Sequence, residues 1–314
     1  MMPLPIPPIA HFIWFGRRLE WVHLFALRSA IQRGGFARVI LHHADDRGDS
    51  QQWAALDALP HFEARRLAPE GLLEQARGAE LVDVYRDLEE PAGRANVVRA
   101  ALLAVEGGVY LDADTVTLAS FSTLREPGGS FCGAERIIRP VAVTSDRRLS
   151  TKFSSLVRRG ARSALREIPG GWRAFRHIER FYPAAVNNAV LGSEARHPFL
   201  AALLENMVQL PQAQRRIRYS LGTHLLQRTA REYQGGDLRV LPPAVFYPLG
   251  PEISLHWFRR TREAMLGEIL LPETVLVHWY ASVRTRQMVS VITPDYVRAH
   301  AGTQLFSALA LPFV

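Results

Sequence analysis

The stretch Arg94–Thr117, RANVVRAALLAVEGGVYLDADTVT, constrains this chain more than any other. Val98, Ala101, Leu102 and Val105 recur at helical spacing, which predicts an amphipathic helix over about Ala95–Glu106 with one buried face. Gly107-Gly108 ends it, because glycine readily takes the left-handed conformations a tight helix-to-strand turn needs. Val109-Tyr110-Leu111 then reads as a short buried strand, and Asp112 and Asp114 come directly after it with Ala113 between them. One reading of Asp-x-Asp is a solvated acidic turn. At the end of a buried strand the mutual repulsion of two carboxylates needs relief, and a divalent cation supplies it. Strand ends of an α/β sheet are also where ligands bind, so the pair is read as a metal site.

The flanking sequence continues an α/β alternation. Ile9–Phe15 is an apolar run closed by Gly16, and reads as a first buried strand. Trp14 at its end is either core or a platform for a base or sugar. Trp21–Arg33 reads as a helix and Phe36–His42 as a second strand, ending in His43-Ala44-Asp45-Asp46, a polar loop at the mouth of a site or a set of metal ligands. Helical pieces are expected at Gln51–Leu59 and Gly71–Arg77, with a strand near Phe62–Arg66. Further on, Val116–Phe121 reads as a strand, Ala184–Ser193 as loop, short strand and turn, and His197–Gln209 as a helix. Thr223 reads as the N-cap of another helix, Leu238–Leu241, Ala244–Tyr247 and Thr274–Tyr280 as strands, and the tail from Pro294 as a helix. Short βαβ connections predict a mostly parallel sheet flanked by helices in one domain spanning the 314 residues.

Composition narrows the class. No apolar run reaches about 18 residues, so no membrane-spanning helix is expected. The opening MMPLPIPPIAHFIWFG lacks a basic segment ahead of its apolar part and is read as mature protein, not a signal peptide. Cys132 is the only cysteine, which excludes a disulfide framework and fits a reducing, cytoplasmic setting. The net charge of +8 is nearly all arginine, Lys152 being the only lysine, and favours anionic partners. Arginines concentrate between 135 and 180, including Arg139, Arg147, Arg148, Arg158, Arg162, Arg173 and Arg180. That segment is either a solvated helical face or a basic helical insertion beside a cleft or an anionic membrane.

With these pieces in place the chain resembles the DXD-containing sugar-transfer family of GT-A glycosyltransferases, glycosyltransferase family 32, and more distantly the clostridial glucosylating toxins. IPPIAHFIWFG, the segment from Ala95 to Thr115, NNAVLGSEARHPFL, SLGTHLL and VLVHWYASV carry the resemblance. It implies a GT-A-type, Rossmann-like fold and a retaining hexosyltransferase. The donor would be a nucleotide sugar, most simply a UDP-sugar, used with Mn²⁺ or Mg²⁺. The acceptor would be a saccharide or lipid-linked saccharide in bacterial surface polysaccharide or capsule synthesis, or a protein in a toxin-like enzyme. The basic face would then rest on the anionic inner membrane.

The resemblance implies roles residue by residue. Trp14 would stack on the base, with Ile13 and Asp45 beside it. Ala95, Asn96, Arg99 and Tyr110 would contact the donor. Asp112 would touch the ribose or sugar and reach the metal through water; Asp114 and His278 would hold the metal directly. Asn187 or Asn188 would line the sugar site, and Ser282 would sit by the diphosphate. Asn96 stands where the family usually has Asp, Thr223 where it has Pro, and Val283 where it has Trp.

Three other readings compete. VYLDADTV fits the signature of haloacid-dehalogenase-like phosphatases, with Asp112 as nucleophile and Asp114 as acid. That motif opens its own fold, however, and here a long segment precedes it. Lys152 would have to be the required lysine, and no suitable acidic pair lies downstream. The arginine-rich segment could bind nucleic acid, but interleaved aromatics and a recognisable module are lacking. Asn96 and Val283 are compatible with a sugar-nucleotide binder that does not turn over.

Overall fold

The computed structural model describes residues 4–137, 149–217, 219–281 and 285–314. The first half alternates as the periodicity predicts. β1 (Ile9–Trp14), α1 (Trp21–Arg33), β2 (Arg38–His43), α2 (Gln51–Asp57) and β3 (Phe62–Arg66) come first. Next are α3 (Pro69–Arg77), α4 (Ala79–Arg86), α5 (Pro91–Glu106), β4 (Gly108–Leu111), β5 (Thr115–Thr117) and α6 (Ser122–Arg125). The second half supplies β6 (Ser130–Arg136), α7 (Leu149–Glu167), α8 (Trp172–Ile178), β7 (Ala184–Ser193), α9 (Pro198–Gln209), β8 (Leu238–Leu241) and β9 (Leu276–His278), with short helices between and after them.

Among the described residues, seven strands form one sheet in the order β3-β2-β1-β4-β7-β6-β8, and β5 pairs with β9 in a second, two-stranded sheet. Neighbours are parallel from β3 to β4, and β6 is parallel to β8; β7 runs against both β4 and β6. This is the mostly parallel, helix-flanked sheet expected of a GT-A-type fold. Side chains alternate between two cores. Phe12, Leu41, Val109 and Leu111 join the core that also holds α1 and the C-terminal residues Trp257, Trp279 and Phe306. Ile13 and Tyr110 face the other core, built with α3, α4, α5 and α9.

α5 is the element whose character departs most from its periodicity. Val97 through Ala104 are all buried, so it is wrapped by protein and not merely one-sided. α3 and α9 lie against it from outside, making an extra helical layer that no local pattern announces. Its end is as predicted. Gly107 has φ +67°, and Gly108, with φ +106°, has its α-carbon so close to the Ile9 carbonyl that a Cβ would stand 2.7 Å from that oxygen. β4 can thus pair directly with β1.

Several local expectations are corrected. Ala184–Ser193 is one continuous strand, not a loop with a short strand, because the side chain of Asn187 is tied to Glu135 and to the Ala189 amide and is not spent on a turn. Ala244–Tyr247 is not a strand: Pro242-Pro243 start a helical turn, Pro243–Phe246, where proline suits the first position. Thr223 is not an N-cap; it lies inside the irregular turn Ser220–His224, whose backbone breaks at Gly222 before the helix Leu225–Glu232. Val116–Phe121 is shorter than expected as a strand, ending at Thr117, and Thr274–Tyr280 is trimmed to Leu276–His278.

The basic segment is helical over α7 and α8, but Glu135 and Arg136 belong to β6 and so to the main sheet. Its cations are less bare than the local sequence suggests. Arg162 pairs with Glu252 at 2.7 Å and Arg173 with Glu268, acids that come from far along the chain. Arg180 stacks on Phe181 at 5.0 Å. Arg139, Arg147 and Arg148 lie outside the described residues, as does the side chain of Lys152. No helix among the described residues is long and apolar enough to cross a membrane.

Candidate active site

The Asp-x-Asp turn sits where three elements meet. β4 delivers Asp112, and β5 begins at Thr115, whose hydroxyl donates to the Asp112 carbonyl at 2.8 Å and tightens the turn. β9 lies antiparallel to β5 with His278 opposite Thr115. The backbone amide of Trp279 donates to the Asp114 carbonyl at 3.0 Å, and that of Ala281 to the Asp114 carboxylate at 2.7 Å. Asp114 therefore belongs structurally to the C-terminal segment as much as to its own turn. His278 Nε2 stands 3.0 Å from Asp114 Oδ1.

One ligand atom each of Asp112, Asp114 and His278 lies within 4.8 Å of the others. The donor set, two carboxylates and one imidazole, suits a hard divalent ion such as Mn²⁺ or Mg²⁺. The electrostatics agree. Burial raises the Asp112 carboxyl pKa, Arg99 opposes this, and the neighbouring Asp114 charge adds to it. For Asp114 burial is outweighed by His278 and the Ala281 amide, and the carboxyl is held below its ordinary value. His278 is pushed up by Asp114 despite burial. Its Nε2 faces Asp114, and its Nδ1 is a buried polar atom with no hydrogen-bond partner among the described residues. The residues present fit a divalent cation.

Arg99 comes from α5 and is buried. Its Nη1 lies 3.2 Å from Asp112 Oδ1 and donates to the Asn188 carbonyl at 2.5 Å, while its Nε donates to the Ala95 carbonyl at 3.3 Å. The guanidinium stacks on Tyr110 at 4.3 Å, and the Tyr110 hydroxyl donates to Asp112 Oδ1 at 2.6 Å. A buried arginine survives here because each face has a partner. Asn96, one helical turn before Arg99, accepts from Asn188 Nδ2 at 2.8 Å; both amides pack on Gly222, where a Cβ would meet Asn96 at 2.8 Å. Asn187 on the same strand points instead to Glu135.

The remaining expected residues divide. Trp14 is half-buried at the end of β1, its ring 4.6 Å from that of His23 and its Nε1 donating to the Arg18 carbonyl. Asp45 accepts from the Gly16 amide at 2.6 Å and closes the loop beside Trp14. Ile13 and Tyr110 are buried in the sheet beneath the site. Ser282 and Val283 lie outside the described residues.

Three residues that sequence reasoning missed belong to the same region. His23 of α1 donates from Nδ1 to the Ala113 carbonyl at 3.1 Å, so α1 holds the middle of the Asp-x-Asp turn. Burial keeps that imidazole pKa low, and it lies between Trp14 and Trp279. Glu135 and Tyr280 are joined behind His278 at 2.8 Å. A carboxylate continuing the apolar β6 run was the one local signal for Glu135; the others had none.

Comparison with known protein families bears on the same segment. Residues 59–128 match the family described as "Glycosyltransferase sugar-binding region containing DXD motif", and Asp112-Ala113-Asp114 is the DXD within the match. By this match, which spans residues 59–128 only, the segment that carries the acidic pair is similar to a glycosyltransferase sugar-binding region. No curated protein matches the sequence significantly. Similar solved structures include "PaToxG Glycosyltransferase" at 14% identity, with 73% of this chain and 70% of that chain covered and a TM-score of 0.48. The UDP-bound glycosyltransferase domain from the YGT toxin aligns at 9% identity, 75% and 79% coverage and a TM-score of 0.43. Mouse xyloside xylosyltransferase 1, apo form, aligns at 13% identity, 86% and 96% coverage and a TM-score of 0.46.

Proposed function

We propose that the chain, acting as a single domain, transfers a hexose from a nucleotide sugar, most simply a UDP-sugar, to a saccharide or lipid-linked saccharide acceptor. The observation that carries this reading is the convergence of Asp112, Asp114 and His278 beside the buried Arg99. A divalent ion held there would supply positive charge to a nucleoside-diphosphate leaving group. Arg99 holds Asp112 in place and ties it to β7 through the Asn188 carbonyl. Asn96 and Asn188, already paired, would face the sugar, with Asn187 behind them; Trp14 would stack on the base, with Asp45 shaping its loop. Among the described residues around the acidic pair no carboxylate stands out as a covalent nucleophile, so departure and attack on one face with retention is the working scheme. The setting proposed is the bacterial cytoplasm, in surface polysaccharide synthesis, with the basic helices α7 and α8 resting on the anionic inner leaflet.

The test is release of free nucleoside diphosphate from a panel of nucleotide sugars with Mn²⁺, with EDTA, and with Asp114→Ala. Metal-dependent release from one donor, lost in the variant, is the expected result. Absence of both turnover and donor binding across the panel would overturn the reading. Retention is checked by comparing the anomeric configuration of donor and product; an inverted product would sink it.

A further inference from the structure

Glu135 is a buried carboxylate that the transfer reading leaves unused. It sits near the end of β6, opposite Ala185 of β7, and is 5% exposed. No ion pair to it is found among the described residues, a costly state for a buried acid unless hydrogen bonds compensate. Two do. Its Oε2 accepts from Asn187 Nδ2 at 2.8 Å and from the Tyr280 hydroxyl at 2.8 Å.

Both donors lead to the acidic site. Asn187 adjoins Asn188, whose carbonyl holds Arg99. Tyr280 lies two residues past His278, and its ring centroid is 4.1 Å from the imidazole. Tyr280 has φ +61°, a left-handed conformation that a bulky side chain adopts at a cost of about 1–3 kcal/mol. Such a residue stays put only where its surroundings over-determine it, and the Glu135 hydrogen bond is one such tie. His278 needs the help. A metal-binding imidazole is normally oriented by a hydrogen bond from its second nitrogen, and among the described residues Nδ1 has none. Among the described residues the ring packs against Tyr280 and, at 5.9 Å, Tyr247.

We infer that Glu135 is a positioning residue: by clamping Tyr280 and Asn187 to one carboxylate oxygen it sets the plane of the His278 imidazole, and with it the affinity of the Asp112, Asp114 and His278 group for a divalent cation. The inference rests on the metal reading proposed above and adds the residue that makes an under-bonded histidine a defined ligand.

The experiment is titration of Mn²⁺ into the purified full chain by calorimetry, with thermal unfolding measured alongside. Tyr280→Phe removes only the hydroxyl and keeps the ring; Glu135→Ala removes the clamp; Glu135→Gln keeps an acceptor oxygen. Tyr280→Phe and Glu135→Ala are expected to weaken Mn²⁺ binding by about 10–100-fold, the usual scale for a partner behind a metal ligand, with Glu135→Gln restoring most of it. A folded Glu135→Ala chain that binds Mn²⁺ like the parent, or a Gln variant no better than Ala, overturns the inference. If the Ala variant does not fold, Tyr280→Phe decides: parent-like Mn²⁺ affinity there overturns it equally. A parent chain that binds no Mn²⁺ brings down the metal reading itself, a result distinct from variants that match a binding parent.

Discussion

Asp114 is bonded on both its backbone and its carboxylate to the segment that carries His278: the Trp279 amide reaches its carbonyl, the Ala281 amide one carboxylate oxygen, and His278 Nε2 the other at 3.0 Å. Replacing it removes a candidate ligand and unties the acidic turn from the residues just after β9. Asp114→Ala is expected to lower metal-dependent nucleoside-diphosphate release by at least about 100-fold, the scale of losing a principal electrostatic contact at a reacting centre. Mn²⁺ titration of the same variant should show binding lost in parallel; intact binding would remove Asp114 from the ligand set.

Arg99 should matter for stability before it matters for chemistry. Arg99→Met leaves Asp112 and the Asn188 carbonyl without their cation in a mostly buried setting, at a cost of about 3–5 kcal/mol. Arg99→Lys should recover little, because an ammonium cannot satisfy Asp112, Asn188 and Ala95 from one plane or stack on Tyr110 in the same way. Urea denaturation of both variants checks this; a Lys variant as stable as the parent would contradict it.

The Gly-Gly turn makes a sharper structural prediction. Gly108→Ala puts a methyl 2.7 Å from the Ile9 carbonyl and 3.1 Å from His11 Nε2, at a φ of +106°. It should cost more than about 2 kcal/mol, from strain and overpacking together. Gly71→Ala, an exposed helical position with open space around it, is the control and should change the melting temperature little.

A buried histidine pair under the same turn gives the pH dependence. His11 Nε2 donates to the Gly107 carbonyl at 3.0 Å, so its Nδ1 must accept from His42 Nε2 at 3.0 Å. A proton added at Nδ1 would face that N–H, and burial lowers His11 to about 4 and His42 to about 2. In the unfolded chain both take up protons near 6.5. Stability from keeping them neutral is therefore full above pH 6.5 and is lost as pH falls towards 4. For His11 alone the loss is on the order of 3 kcal/mol. Denaturation midpoints between those pH values should fall more steeply for the parent than for His42→Leu; equal slopes would rule the pair out.

The α5 helix, the Gly-Gly turn, β4 and the acidic pair were legible in the sequence because each is a local pattern with a local cause. His278 came only from resemblance, since nothing near it marks a strand that will pair with β5. Glu135 looked like the start of a basic insertion, yet register places it in the sheet opposite Ala185. Asn187 and Asn188 fell in a stretch read as loop, short strand and turn, but their side chains are claimed by Glu135 and Asn96 from distant segments. Side chains whose partners lie far along the chain carry no periodic signal, and most of this site is made of them.

The pairing of β5 with β9 has a temporal consequence. A chain emerging from the ribosome carries Asp112 and Asp114 long before His278 has been made. Until β9 docks, the two carboxylates lack their imidazole and the amides that steady Asp114. On the metal reading proposed above, the ligand set is incomplete until the segment carrying His278 has been made and β9 has docked on β5.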